Sequence, residues 1–188
     1  MKTHRFLAVF NVISYSRSSN SLCILRPVSY IVRALKIILL TIGKQQEADT
    51  RTALADFSQR INRYFPCEWK ILPPSKHSDP GTIRKTDADS ILSALQKDDY
   101  LVLLDERGKN ISSPELASLV QQRANESRKQ LVFLVGGAYG VDAAIRQRAD
   151  FCWSLSKLVF PHQLVRLILA EQVYRACTIL RNEKYHHD

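Results

Sequence analysis

Leu131–Val135 is an unbroken apolar run that leads directly into Gly136-Gly137-Ala138-Tyr139-Gly140. A strand buried on both faces reads this way, because none of its side chains faces water. A glycine-rich turn at such a strand's end lets other groups approach the backbone. Three more short segments are strand candidates. Ile37–Ile42 ends at Gly43, Cys67–Leu72 is closed by Pro73-Pro74, and Tyr100–Asp105 precedes Arg107-Gly108-Lys109, which reads as a turn. Between them the apolar period changes to that of helices. Residues 48–64 place Leu54, Phe57, Ile61 and Tyr64/Phe65 at helical spacing. A second helix is expected over 86–97, and a third begins at Ser113-Pro114-Glu115 with Ser113 as cap. A short helix (141–149), a strand near Cys152–Leu155 and a long helix (162–181) complete the chain. The polar stretch Pro73–Lys85, with Pro80-Gly81 as a turn signal, reads as an exposed, mobile loop. Strands alternating with helices predict a layered α/β domain with a mostly parallel sheet.

The length of 188 residues and 45% apolar content suit one globular domain with a short appendage. The appendage is expected at residues 1–35, a Ser-rich segment with Lys2, Arg5, Arg17, Arg26, Arg33 and no acid. These five residues supply more than half of the formal charge of +9, leaving +4 for 36–188. A secretory signal lacks a convincing small-residue cleavage site here, and an organellar transit peptide fits the composition better. The favoured reading is an extension outside the folded domain. Arg33 and Lys36 interrupt the best candidate for a membrane span, so no membrane partner is expected. The remaining positive excess is compatible with a polyanion but does not require one. Cys23, Cys67, Cys152 and Cys177 show neither zinc-knuckle nor disulfide-scaffold spacing, which fits a reducing compartment.

Three segments carry possible chemistry. The loop Gly136–Gly140 follows a buried strand and opens a helix, where open α/β sheets bind ligands. It lacks both the dinucleotide fingerprint and the phosphate-loop Gly-Lys-Ser/Thr, so it serves equally as a tight turn. Next, Pro161 starts a helix with His162 in its first turn and Arg166 four residues on. A helix N-terminus disfavours a protonated imidazole, leaving His162 available as a base. Arg166 can offer a forked donor to phosphate or carboxylate, although an isolated pair of this kind is as readily structural. Glu171 and Arg175 read as an intrahelical ion pair. Finally, the tail Lys184-Tyr185-His186-His187-Asp188 has no helical metal-ligand spacing, so no catalytic metal is expected.

Several blocks in order then resemble one family. They are Lys36–Gly43, Leu104-Asp105-x-x-Gly108-Lys109, Val135-Gly136-Gly137-x-x-Gly140, Leu155–Gln163 (Leu-Ser-Lys-Leu-Val-Phe-Pro-His-Gln), and Val165-Arg166-x-x-x-x-Glu171-Gln172-x-Tyr174-Arg175-Ala176. Residues 36–188 are similar to the SPOUT-class family of ribosomal large subunit methyltransferases H, pseudouridine-N3 methyltransferases of 23S rRNA. Members usually begin with Met-Lys at the position of Leu35-Lys36, which supports an upstream extension. The resemblance implies a SPOUT fold with a C-terminal trefoil knot, a cytoplasmic homodimer, and 23S rRNA within the ribosome or large subunit as partner. It implies S-adenosyl-L-methionine as cofactor, held by Leu104, Gly136, Gly137, Leu155, Ser156, Lys157, Leu158, Val159 and Phe160. It also implies that His162, Arg166, Tyr185 and His186 face the nucleotide as catalytic residues. One departure stands out: members commonly have Arg or Lys after Tyr-His, whereas this chain has His187-Asp188.

The chemistry implied follows from the substrate. A protonated imide nitrogen is a poor nucleophile, so a base such as His162 would assist, with Arg166 as phosphate or carbonyl anchor. Two alternatives stay open: a non-catalytic ribosome-binding protein keeping the fold, and a methyltransferase for another rRNA nucleotide.

Overall fold

The computed structural model describes residues 35–43, 48–126 and 128–185, without the side chains of Ala48 and Asp49. The expected extension, Leu35 excepted, and His186 lie outside the described residues. The order is β1 (Lys36–Ile42), α1 (Ala48–Ile61), β2 (Cys67–Leu72), α2 (Pro80–Ala94), β3 (Tyr100–Asn110), α3 (Ser113–Asn125), β4 (Gln130–Val135), α4 (Ala143–Arg148), β5 (Phe151–Ser154) and α5 (His162–Leu180). The strands form one sheet in the order β2-β1-β4-β3-β5, with every pairing parallel. All five C-terminal strand ends therefore lie at one end of the sheet.

The continuous apolar runs follow from burial on both faces. On one face Ile37, Leu39, Val102, Leu131 and Phe133 pack under α1, α3 and α5. On the other, Ile38, Leu40, Leu101, Leu103, Val132 and Leu134 pack under α2 and α4. The architecture is a three-layer α/β/α sandwich, as the alternation of periods predicts. Leu35, placed by the sequence in the extension, is 2% exposed and belongs to the first of these cores. Cys67 and Cys177 are free thiols in that core, pushed up to about 12 chiefly by burial.

Three local expectations need correction. The polar stretch after β2 ends as a loop at Asp79. Pro80 then opens α2, with the Asp79 carboxylate accepting from Thr82 N at 2.7 Å. Pro80-Gly81 is thus a helix start, since Pro at the first helical position lacks only an N–H the helix would leave unpaired. Next, Arg107-Gly108-Lys109 is strand rather than turn. β3 bulges after Leu104 and resumes pairing, so that Leu104 and Lys109 both face Trp153. A Cβ on Gly108 would come within 2.6 Å of Cys152 O, so the glycine admits the neighbouring backbone. Lastly, the cap of α3 is Ser112 instead of Ser113. It forms a capping box with Glu115, whose carboxylate accepts from Ser112 N at 2.7 Å.

Candidate active site

At the C-terminal ends of β3, β4 and β5 the following loops surround a cleft of about 400 Å³. Its volume is in the range of small-molecule sites. Leu104, Val135, Leu155 and Val165 give it an apolar lining, and the backbone of Gly136–Val141 forms one wall. Of the residues expected to hold a cofactor, Leu104, Gly136, Gly137, Leu155, Ser156, Leu158, Val159 and Phe160 all line it. Lys157 does not; it is exposed on the same loop. That loop is shaped by its serines: Ser154 Oγ donates to Ser156 O at 2.8 Å, and Ser156 Oγ accepts from Leu158 N at 3.0 Å.

The glycine wall owes its composition to the side chains packed against it. A Cβ on Gly136 would come within 2.7 Å of Val141 Cγ1, and one on Gly137 within 2.9 Å of Asp87 Oδ2. Neither has positive φ, whereas Gly140 does, at +77°. The first two glycines are therefore required by packing within the protein, and only the third by backbone conformation.

His162 lines the cleft from the first turn of α5. Burial, and then the charge of Arg166, hold its imidazole below its ordinary value, so it is neutral near pH 7. Arg166 is not in the cleft wall. It is 5% exposed and donates through Nη2 to Ile42 O at 3.3 Å, against the C-terminal end of β1. Tyr185 is further still. The chain turns back after α5, so that Tyr185 packs against the middle of that helix at Glu171–Arg175, roughly 15–20 Å along its axis from His162. There its hydroxyl donates to Glu171 Oε1 at 3.2 Å, its ring meets Tyr174 edge-on at 4.8 Å, and Arg175 stacks over it. Glu171 and Arg175 are paired at 2.7 Å, as their spacing predicts. Of the three described residues expected to face the nucleotide, His162, Arg166 and Tyr185, one chain thus brings only His162 to the cleft.

Sequence reasoning missed the charged residues of the β3 bulge. Asp105, Glu106 and Arg107 line the cleft at the β3 bulge. Burial pushes the Asp105 carboxyl up, but hydrogen bonds from Arg107 and the charges of Arg146 and Arg107 outweigh it and hold it below the usual range. Its oxygens lie 3.1 Å from Arg107 Nε and 2.9 Å from Arg146 Nη2. The available signal was Asp105 at the end of an apolar strand, the position at which α/β sheets place ligand contacts.

A family model described as "Predicted SPOUT methyltransferase" matches residues 35–186. The ribosomal RNA large subunit methyltransferase H of Christiangramia forsetii is 40% identical over 156 residues, covering 81% of this chain and 99% of that protein. The protein of the same name from Parabacteroides distasonis is 40% identical over 157 residues, covering 82% of this chain and all of its own. That from Cytophaga hutchinsonii is 39% identical over 155 residues, covering 81% and 100%. With the parallel α/β sandwich and its cleft, these similarities identify the chain as a member of the ribosomal RNA large subunit methyltransferase H family of SPOUT methyltransferases.

Proposed function

We propose that the protein transfers a methyl group from S-adenosyl-L-methionine to N3 of a pseudouridine in 23S rRNA of the large ribosomal subunit. The single observation that carries this reading is the cleft, where His162 and eight of the nine residues expected to hold the cofactor converge. The site suits a nucleoside sulfonium. Its apolar walls would take the adenine, and its glycine backbone would meet the polar edge. When bound, the cofactor supplies a methyl group already activated for transfer to nitrogen.

The protein's share is alignment and proton removal. His162, neutral and half-buried, accepts the imide proton as the nitrogen attacks. Arg166, expected to anchor phosphate, is too deeply buried for that part; it acts as a positioning residue that helps keep His162 unprotonated. The trefoil knot belongs to this reading too, with the loops around the cleft as the knotted region.

A homodimer completes the site. Tyr139, Leu158, Val159 and Leu164 are 52%, 69%, 80% and 42% exposed, and they cluster at the cleft and the start of α5. Large apolar side chains grouped in this way favour a partner surface. The rest of α5 is already used within its own chain, as Leu169, Val173, Ala176 and Cys177 face the sheet. A second chain lying across this region would bring its own Tyr185 and His186 to the cleft that one chain leaves incomplete. The catalytic unit is residues 36–188 together with Leu35, acting in the cytoplasm. Among the described residues no helix is long and apolar enough to cross a membrane.

Mass spectrometry of 23S rRNA tests the assignment. A strain lacking the protein should lose one methyl group on a pseudouridine, and purified protein with S-adenosyl-L-methionine should restore it. Loss at another nucleotide would redirect the substrate. Failure to bind the cofactor in calorimetry would leave a ribosome-binding protein without catalysis.

A further inference from the structure

The segment that follows β2 stands apart in charge. Residues 73–86 contain Lys76, His77, Arg84 and Lys85 and a single acid, Asp79. Asp79 is committed as the cap of α2, accepting from both Thr82 N and Thr82 Oγ1. Lys76 and Lys85 are exposed and Arg84 is half-buried. None of the three forms an ion pair among the described residues, whereas Arg107 at the cleft shares Asp105 with Arg146. Because the sheet is parallel, this segment leaves β2 at the same end of the sheet as the cleft.

It is also tied to the cleft wall. Ser75 N donates to Asp87 Oδ1 at 3.2 Å, and His77 N donates to Ser75 Oγ at 3.3 Å. Asp87 is 6% exposed, and its other oxygen occupies the space in which Gly137 lacks a side chain. One buried carboxylate thus touches the basic segment on one side and the glycine loop on the other. A buried carboxylate is costly, and an apolar side chain would fill the space more cheaply. The hydrogen bond to Ser75 accounts for its presence.

We propose that the loop 73–79 and the first two turns of α2 form a phosphate-binding arm for the RNA substrate. In it Lys76, Arg84 and Lys85 contact backbone phosphates beside the cleft, and Asp87 is the positioning residue that holds the loop part, through Ser75, beside the glycine loop. The proposal rests on the rRNA reading above. It concerns placement of the substrate and leaves the methyl transfer itself to the cleft.

The test measures binding to large ribosomal subunits between about 50 and 200 mM salt. Each phosphate contact contributes roughly 0.7 to the slope of log affinity against log salt for single strands. The variant K76Q/R84Q/K85Q should bind S-adenosyl-L-methionine like the parent, yet show a salt slope shallower by about 2. A slope and affinity equal to the parent's overturn the arm. Weaker binding with an unchanged slope also overturns it, and points to a protein contact on the ribosome instead. For the link, Asp87→Ala should weaken subunit binding severalfold, while Asp87→Asn, which keeps an acceptor for Ser75 N, restores it to within about twofold. If Asp87→Ala does not fold, Ser75→Pro removes the same N–H from the other side. Parental affinity in a folded Asp87→Ala or Ser75→Pro protein overturns the link. A parent protein that neither binds nor methylates subunits would instead refute the rRNA reading, so the two failures are distinguishable.

Discussion

His162 is neutral because of where it sits, half-buried at the start of α5 with Arg166 one turn away. The sign of the pH dependence follows. Protonation removes the acceptor, so the single-turnover rate should fall as pH drops through a pKa below about 6.5, the ordinary imidazole value. Replacing Arg166 with Met removes one of the two causes and should move that limb upward. His162→Ala should leave cofactor affinity nearly intact and slow methyl transfer by roughly 10²–10⁴-fold. A rate within about twofold of the parent would remove His162 from the mechanism. Gly137 invites a different test. A substituent there points at Asp87 and away from the cleft, so it should act by displacing the loop. Gly137→Ala should lower stability by roughly 1–3 kcal/mol in denaturant titrations. The penalty should shrink in an Asp87→Ala background, where the obstructing oxygen is gone.

Among the elements, α3 depends visibly on its cap. Ser112 and Glu115 satisfy each other's backbone N–H groups, and the helix they start buries Leu116, Ala117 and Val120 against the sheet. Ser112→Ala should cost about 0.5–2 kcal/mol of stability, read by thermal or denaturant unfolding, with little effect on cofactor affinity. The helix α5 has a divided role. Its inner face is core, its first turn lines the cleft, and Tyr185, where the chain turns back, is parked on its middle against Glu171, Tyr174 and Arg175. One rigid helix therefore keeps His162 and Tyr185 roughly 15–20 Å apart along its axis.

At the scale of the whole molecule, that separation makes the dimer testable by complementation. In a mixed dimer, one chain carries His162→Ala and the other lacks residues 184–188. If the tail serves the partner's cleft, one site has both lesions and the other has neither, and about half the parental rate should return. A tail serving its own chain leaves two damaged sites and no recovery. Sedimentation as a monomer at micromolar concentration would overturn the arrangement. Removal of residues 1–34, with Leu35 retained for the core it packs into, should change neither the melting temperature nor the methylation rate appreciably.

Much of this protein is legible without coordinates, for a definite reason. A strand buried on both faces must be apolar throughout, and an amphipathic helix must repeat its apolar residues at its own period, so β1, β4 and α5 are written locally in Ile37–Ile42, Leu131–Val135 and residues 162–181. The cleft was legible to the same extent, because ligand loops follow strand ends in parallel sheets. Three things were decided only in three dimensions. The strand order β2-β1-β4-β3-β5 sets which strand ends are neighbours, and hence that Asp105 joins Gly136 and His162 in one cleft. The close approach of β5 to β3 turns Arg107-Gly108-Lys109 from an apparent turn into strand, since only the partner backbone reveals why Gly108 is there. Four-residue spacing placed Arg166 near His162 along the helix, but the neighbouring strand β1 decides that Arg166 is buried at Ile42 while His162 opens to the cleft. Local periodicity reports which face of an element is apolar; what that face meets depends on contacts between residues distant in the chain.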